Sequence, residues 1–310
     1  MILLLGKIQA KAIRKHMHIA VCIKQTPDSS SVYIDPITSQ VDYERFVQVL
    51  NAADACAVEA AVRLKEQCGG QVTVVTLGPL DAEGALRAAL AIGADSALRL
   101  WNEQAETWGP FTVAAALAAY LKSNTAPASN LILCGDAASD WSSGIVGLAL
   151  AEQLALPQVT GVTRLEAHAQ NGKLPTILHV TRKLERGYRE LLEAQLPLLI
   201  TVTSDLNEPR YPSLPAHMVA LAAKIPVIDP LSLDNMLGQD ESDETTILEM
   251  HTPRPLPKHI AAPDSHHSAF ERIGEIISGG ATGRQTKLVE GSPEDLARTL
   301  VEFLRDKGFV

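Results

Sequence analysis

Positive charge, aromatic rings and cysteine are all scarce in this sequence, and each shortage removes a class of function. Lys and Arg number 27 against 36 Asp and Glu, a formal net charge of −9, so no overall basic surface exists to neutralise a phosphate backbone. Aromatic residues are 4% of the chain, too few for the stacking platforms that single strands require. Both shortages argue against a nucleic-acid binder. Cys22, Cys56, Cys68 and Cys134 show no metal-type spacing and read as reduced thiols of a cytoplasmic protein. No apolar run reaches the ~18–20 residues of an integral membrane segment. Neither G-x-G-x-x-G nor G-x-x-x-x-G-K-[ST] occurs, which removes the standard dinucleotide fingerprint and the Walker-type hydrolases. The carboxylate pairs Asp35 with Asp42, Asp136 with Asp140 and Glu185 with Glu190 have no nucleophile, positioned histidine or oxyanion loop beside them, so no catalytic residue is assigned. His251, His259, His266 and His267 sit in a Pro-rich stretch without ligand spacing, and no metal site is assigned.

What is present is an ordinary globular composition, 46% hydrophobic and 20% charged. Residues 1–16 mix a short apolar run with basic side chains but lack a clean cleavage signal, so they read as an N-terminal extension ahead of Met17, itself a possible true start. HIAVCI from His18 is a buried strand with an exit loop. Asn51 is placed to cap a helix whose apolar face is Ala53, Ala57, Ala60, Ala61 and Leu64, stopped by Gly69 and Gly70. QVTVVTLGP is the next strand, Asp81 caps a helix ending at Gly93, and SALRLW is the third strand. Pro110 opens a helix, and residues 129–157 give strand, loop and helix again. Continuous apolar strands alternating with helices predict an α/β fold, a doubly wound, mainly parallel, Rossmann-like sheet.

After Pro157 the rhythm breaks. VTGVTRLE, PTILHVTRKL, GYRELLEA and PLLITVTS read as antiparallel additions to one edge, with turns at Asn171-Gly172 and Arg186-Gly187. Arg182, Lys183, Arg186 and Arg189 form the densest positive cluster, a solvated hairpin face. Pro209, Pro212 and Pro215 stiffen a loop before AHMVALAAK. The division expected is an extension over 1–16, an α/β nucleotide-binding domain over 17–228 with a partner-recognition loop near 206–224, and an extended C-terminal arm over 229–310. The arm ends in a helix whose start is capped by Ser292 and Asp295.

Ligands of an open parallel sheet sit at the carboxyl ends of the strands where the winding reverses. Residues 22–24, 77–78 and 135–147 end there. The last is the strongest candidate: Gly135 allows a tight turn, Asp140, Ser142 and Ser143 are caps, and a helix starting near Gly144 offers free N–H groups to a phosphate. A Gly/Ser-rich loop of this kind is equally what ordinary turn chemistry produces.

These residues resemble the β subunit of electron-transfer flavoproteins. The matching stretches are CIKQTPD from Cys22, NAADACAVEAAVRLKE from Asn51, residues 73–95, LILCGDAASDWSSGIVG from Leu131, and LNEPRYPSLPAHMVALAAKIPVI from Leu206, whose N-x-P-R-Y-P-S-L-P core is the most specific. The resemblance implies a heterodimer with an α subunit, an electron carrier whose redox FAD is held mainly by that α subunit, and AMP in the β site. It places cofactor contacts at Cys22, Asn51, Ala52, Ala53, Asp54 and Leu77, and at Gly135, Asp136, Ala137, Ala138, Ser139, Asp140, Trp141, Ser142, Ser143, Gly144, Ile145, Val146, Gly147 and Leu148. It places docking at Tyr211, Leu214 and Pro215, with Leu214 matching the leucine that anchors on an acyl-CoA dehydrogenase or similar dehydrogenase. A peripheral membrane reductase is a further partner of the kind the family serves. The alternative for Leu214 is packing under its own loop.

Two departures bear on the chemistry. Ile145 and Val146 stand where many members carry Gln-Thr, so backbone N–H groups or Ser142 and Ser143 have to serve the phosphate. Residues 219–223 lack the lysines common before KIPVI. The CIKQTPD and VYIDP segments are similar to electron-bifurcating members, in which a second FAD in the β site is reduced by NADH; that is the alternative function. A stand-alone adenine-nucleotide-binding protein sharing only the fold is the third reading.

Overall fold

The computed structural model describes residues 17–33, 35, 46–123, 125–167, 175–233, 268–270, 272–273 and 291–306. In chain order the elements are β1 (His18–Cys22), β2 (Gln25–Pro27), β3 (Gln48–Leu50), α1 (Ala52–Cys68), β4 (Gln71–Leu77), α2 (Glu83–Ile92), β5 (Ser96–Leu100), α3 (Pro110–Lys122), β6 (Leu131–Gly135) and α4 (Val146–Leu154). They continue as β7 (Gln158–Ala167), β8 (Ile177–Lys183), β9 (Arg189–Gln195), β10 (Leu198–Val202), α5 (Leu214–Ala222), β11 (Val227–Ile228) and α6 (Pro293–Asp306). Residues 1–253 and 254–310 form two separate compact units. The 1–16 extension, the Asn171-Gly172 turn, Asp42 and the four histidines of the Pro-rich stretch lie outside the described residues.

The first unit is built on a sheet of order β11-β5-β4-β1-β6-β10-β7-β8-β9. Neighbours from β11 to β7 pair in parallel, and β8 and β9 add antiparallel to β7. Period-two geometry splits each central strand between two cores. Ile19 and Val21 pack with Val58, Leu64 and Leu86 of α1 and α2 on one face. Ala20 and Cys22 pack with Leu117, Tyr120 and Leu150 of α3 and α4 on the other. The doubly wound α/β sandwich is therefore what the structure contains, and the apolar face expected for α1 is buried throughout.

Two strands differ from the sequence reading. β7, which spans VTGVTRLE, is not a purely antiparallel addition, since it pairs in parallel with β10 on one side and antiparallel with β8 on the other. β10, within PLLITVTS, is an interior parallel strand between β6 and β7, with all five residues buried. LLITV is nearly all apolar, without alternation, the mark of a strand covered on both faces, whereas β8 and β9 alternate and form the antiparallel end of the sheet, with β9 at its edge. A small ladder of β2 with β3 also forms beyond β1.

The helix caps differ more. Asp81 lies in a 3-10 turn, and α2 starts at Glu83 with no side-chain cap. α4 starts at Val146 rather than near Gly144, and Asp140, Ser142 and Ser143 do not cap it. The C-terminal cap of α1 is as expected, with Gly69 at φ 74. In the second unit, Ser292 Oγ accepts the Asp295 N–H at 3.3 Å and donates to its carboxylate at 2.7 Å, closing the start of α6 as expected.

Candidate functional site

From β1 the chain passes through α1 to β4 on one side, whereas β6 lies on the other side of β1, so the winding reverses between β1 and β6. Cys22 and Cys134 are register partners at this point, and both are buried. Burial, with the Asp54 charge second, pushes the Cys22 thiol up to about 12, and burial raises Cys134 too, so neither is a reactive thiolate.

Asp54, in the first turn of α1, closes the base of this crevice. Its carboxylate accepts the Gly135 N–H at 2.7 Å and the Lys24 N–H at 2.8 Å, tying the exits of β6 and β1 to one helix start. Burial lifts the Asp54 carboxyl to about 6 although both backbone bonds pull the other way. Asp54 thus contributes to the site by shaping it, since both of its oxygens are engaged by main chain.

The expected side-chain cap at Asn51 is replaced by a longer-range role. Its amide donates to Ala137 O at 3.0 Å and accepts the Ser139 N–H at 3.2 Å, while its own N–H donates to Lys24 O at 3.0 Å. The loop after β6 presents an acceptor and a donor two residues apart, which satisfies both ends of the amide. Ser139 Oγ also donates to Thr26 Oγ1 at 3.0 Å.

Beyond Ser139 the loop turns through Ser142 (φ 50) and Gly144 (φ 63). The Ser142 N–H donates to Ala138 O at 2.9 Å, and Asp140 Oδ1 accepts the Trp141 N–H at 2.8 Å. Asp140 also pairs with Lys24 Nζ at 2.5 Å, and this ion pair replaces the capping role expected of it. Trp141 is 74% exposed. At Gly147 a Cβ would come within 2.8 Å of Cys134 Sγ and of Thr201 Cγ2, so only glycine seats the first turn of α4 on β6 and β10. With no side-chain cap, that turn keeps its first N–H groups for another acceptor. Ile145 and Val146 are half-buried and offer no side-chain donor, Leu148 and Ala52 are exposed, and Ala53 is buried. Leu77 stands apart from the loop, at the end of β4 on the other flank of β1. Gly135 is the last residue of β6 rather than a tight turn, and what requires glycine there is the close approach of Asp54, whose Oδ1 would lie 2.5 Å from a Cβ. The N–H groups at the start of α4 are the part of the crevice that can receive an anion.

The docking segment has a second construction. Glu59 of α1 is 1% exposed, and its carboxylate accepts Arg210 N at 3.2 Å, Arg210 Nε at 2.9 Å and Arg63 Nε at 2.5 Å. Arg210 also forks onto Glu66 at 2.6 and 3.0 Å. Burial pushes the Glu59 carboxyl up, but the bonds from Arg210 and Arg63 outweigh it and hold it below the usual range. Asn207 Nδ2 donates to Cys56 O at 3.0 Å, and Arg63 Nη2 to Glu208 O at 3.1 Å. At the far end, Arg87 of α2 donates to the carbonyls of Ala220, Leu221 and Ala223, the final turn of α5. Between these clamps Tyr211 is 93% and Leu214 75% exposed, and Pro215 is exposed as well. Leu214 therefore does not pack under its own loop. In the 219–223 stretch Val219 and Leu221 are exposed.

Lys24 and the Glu59–Arg210 clamp were not singled out by sequence reasoning. A lone base immediately after the first strand, and acids at 59 and 66 flanking Arg63 on one helical face, were the available signals. Among the described residues no cluster of three or more His, Cys, Asp or Glu gathers as a metal site, and no helix is long and apolar enough to cross a membrane.

Comparison with known proteins supplies the remaining finding. Residues 41–232 match the family model described as the electron transfer flavoprotein domain. The chain is 36% identical over 278 residues to the electron transfer flavoprotein subunit beta of Thermoanaerobacterium thermosaccharolyticum, covering 88% of this chain and 97% of that protein. It is 32% identical to the subunit of the same name from Bacillus subtilis, over 95% of this chain and all of that protein. It is also 39% identical over 215 residues to the caffeyl-CoA reductase-Etf complex subunit CarD of Acetobacterium woodii, 68% of this chain and 78% of that one.

Proposed function

The chain belongs to the electron transfer flavoprotein family, and we propose that it is the β subunit of a heterodimeric electron carrier, paired with an α subunit that holds most of the contacts to the redox FAD. What supports this most directly is that one element, α1, carries both halves of the required apparatus. Its N-terminal end builds the strand-end crevice through Asp54 and the preceding Asn51, and its outer face mounts the exposed docking segment through Glu59 and Glu66.

In this reading the crevice holds an adenine nucleotide, AMP in a single-flavin carrier. The residues that hold it are Cys22, Asn51, Ala52, Ala53, Asp54, Leu77 and the fourteen from Gly135 to Leu148 named above. Asp54 and Asn51 fix the backbone of the loop, and the uncapped start of α4 with Ser142 and Ser143 receives the phosphate. The FAD, when bound in the heterodimer, supplies the electron chemistry, and this chain supplies positioning and docking. Tyr211, Leu214 and Pro215 meet a dehydrogenase such as an acyl-CoA dehydrogenase. A leucine on a segment already fixed at both ends loses little further freedom when it enters an apolar pocket.

The test is to coexpress the full chain with its α partner, denature the purified complex, and count the released nucleotides by chromatography. One FAD and one AMP per heterodimer is the expected result. Two FAD and no AMP identifies the bifurcating alternative, with rapid bleaching of bound flavin by NADH as its companion signature. A nucleotide-bearing monomer that never pairs with the α subunit overturns both.

A further inference from the structure

We propose that Lys24 is the phosphate-recognising base of the crevice, its ammonium exchanging the Asp140 carboxylate for the phosphate of the bound adenine nucleotide. The inference rests on the nucleotide-site reading above and adds a residue and a specificity to it.

Three observations carry it. First, Lys24 leaves β1 at the reversal of winding, and its main chain is held on both sides: its N–H donates to Asp54 at 2.8 Å and its carbonyl accepts the Asn51 N–H at 3.0 Å. The side chain therefore starts from a fixed point. Second, its ammonium crosses to the loop after β6, meeting Asp140 at 2.5 Å across 116 residues of chain, so it spans the gap in which ligands of such sheets sit. Third, residues 22–24, 51–54, 77–78 and 135–148 contain no base except Lys24, set against Asp54, Asp136 and Asp140.

The acidic surroundings make a compensating cation necessary for a dianionic phosphate. The loop itself cannot supply it, because Ile145 and Val146 carry no donor and Ser142 and Ser143 carry no charge. The Lys24 side chain is 45% exposed, so its bond to Asp140 is held in a high-dielectric setting and is readily exchanged for a doubly charged acceptor. Asp140 then acts as a competitor for the ammonium and tunes the affinity for phosphate. The prediction is a site that discriminates AMP from adenosine through one ammonium.

The experiment uses the α–β complex depleted of nucleotide and titrated calorimetrically with AMP and, separately, with adenosine. Lys24→Gln is expected to weaken AMP on the order of tenfold or more while leaving adenosine within about twofold of the parent, since the backbone bonds to Asp54 and Asn51 persist. Asp140→Asn is expected to tighten AMP several-fold, and the salt dependence of AMP binding should flatten in Lys24→Gln. Equal AMP affinity in the parent and Lys24→Gln overturns the role of Lys24, as does a parallel loss of adenosine binding. A parent complex that binds neither compound overturns the nucleotide-site reading itself and the proposal with it.

Discussion

Asp54 and Gly135 meet at 2.7 Å across 81 residues of chain, a carboxylate in the first turn of a helix accepting the last N–H of a strand from the other half of the winding. With the Lys24 N–H on its second oxygen, that carboxylate fixes the separation of β1 and β6 where the crevice opens.

A pH signature follows from its burial. The folded Asp54 carboxyl is raised to about 6 from an ordinary 3.8, so the folded chain holds this proton more tightly than the unfolded one. Its contribution to stability is fully present below pH 3.8 and is lost as the pH rises through about 6. Asp54→Asn, which turns an amino group towards one of the two N–H donors, should destabilise by about 1–3 kcal/mol. The gap between the two proteins in chemical denaturation should narrow as pH rises from 4 to 7; a gap independent of pH would contradict the assignment.

Gly135→Ala tests the same junction sterically. A Cβ there would lie 2.5 Å from Asp54 Oδ1 and 2.9 Å from the Ala53 Cβ, both fixed parts of α1. Overpacking of this kind costs about 1–3 kcal/mol. The variant should fold with lowered midpoint and release adenine nucleotide on gel filtration, whereas retention of a full nucleotide complement would show that the loop tolerates the shift.

Arg210→Met removes one partner of a nearly inaccessible carboxylate. Glu59 then keeps only the half-exposed Arg63 as its partner, so the loss should cost about 1–3 kcal/mol, below the full penalty of an unpaired buried charge. Arg210 bonds hold the Glu59 and Glu66 carboxyls below their ordinary 4.5, so in the parent this stability is present above that value and lost as the pH falls through the depressed range. Acid unfolding followed by circular dichroism should therefore be less steep in the variant. An unchanged acid limb would remove Arg210 from the account.

Leu214→Ala addresses docking alone. The side chain is 75% exposed, so the heterodimer should keep its stability and flavin content. Loss of an anchor of this size is worth about 2 kcal/mol at an interface, or some thirtyfold in the apparent affinity for the dehydrogenase. Stopped-flow reduction at varied dehydrogenase concentration reads it directly, and unchanged kinetics would exclude Leu214 from the contact.

The sequence by itself determined the alternation of strand and helix, because continuous apolar runs and 3.6-residue periodicity are local properties of the chain. For the same reason the stop at Gly69, the start at Pro110 and the closed cap of Ser292 with Asp295 were readable in advance, and the N-x-P-R-Y-P-S-L-P core identified the family. Only the tertiary structure decided what the polar side chains do. Asn51 and Asp140 look like caps in sequence, yet each finds a better partner more than 80 residues away once β1 and β6 lie side by side. β10 likewise reads as one more short strand until parallel pairing on both flanks places it inside the sheet. Hydrogen bonds and ion pairs are settled by which groups the fold brings within 3 Å, and no local pattern encodes that proximity.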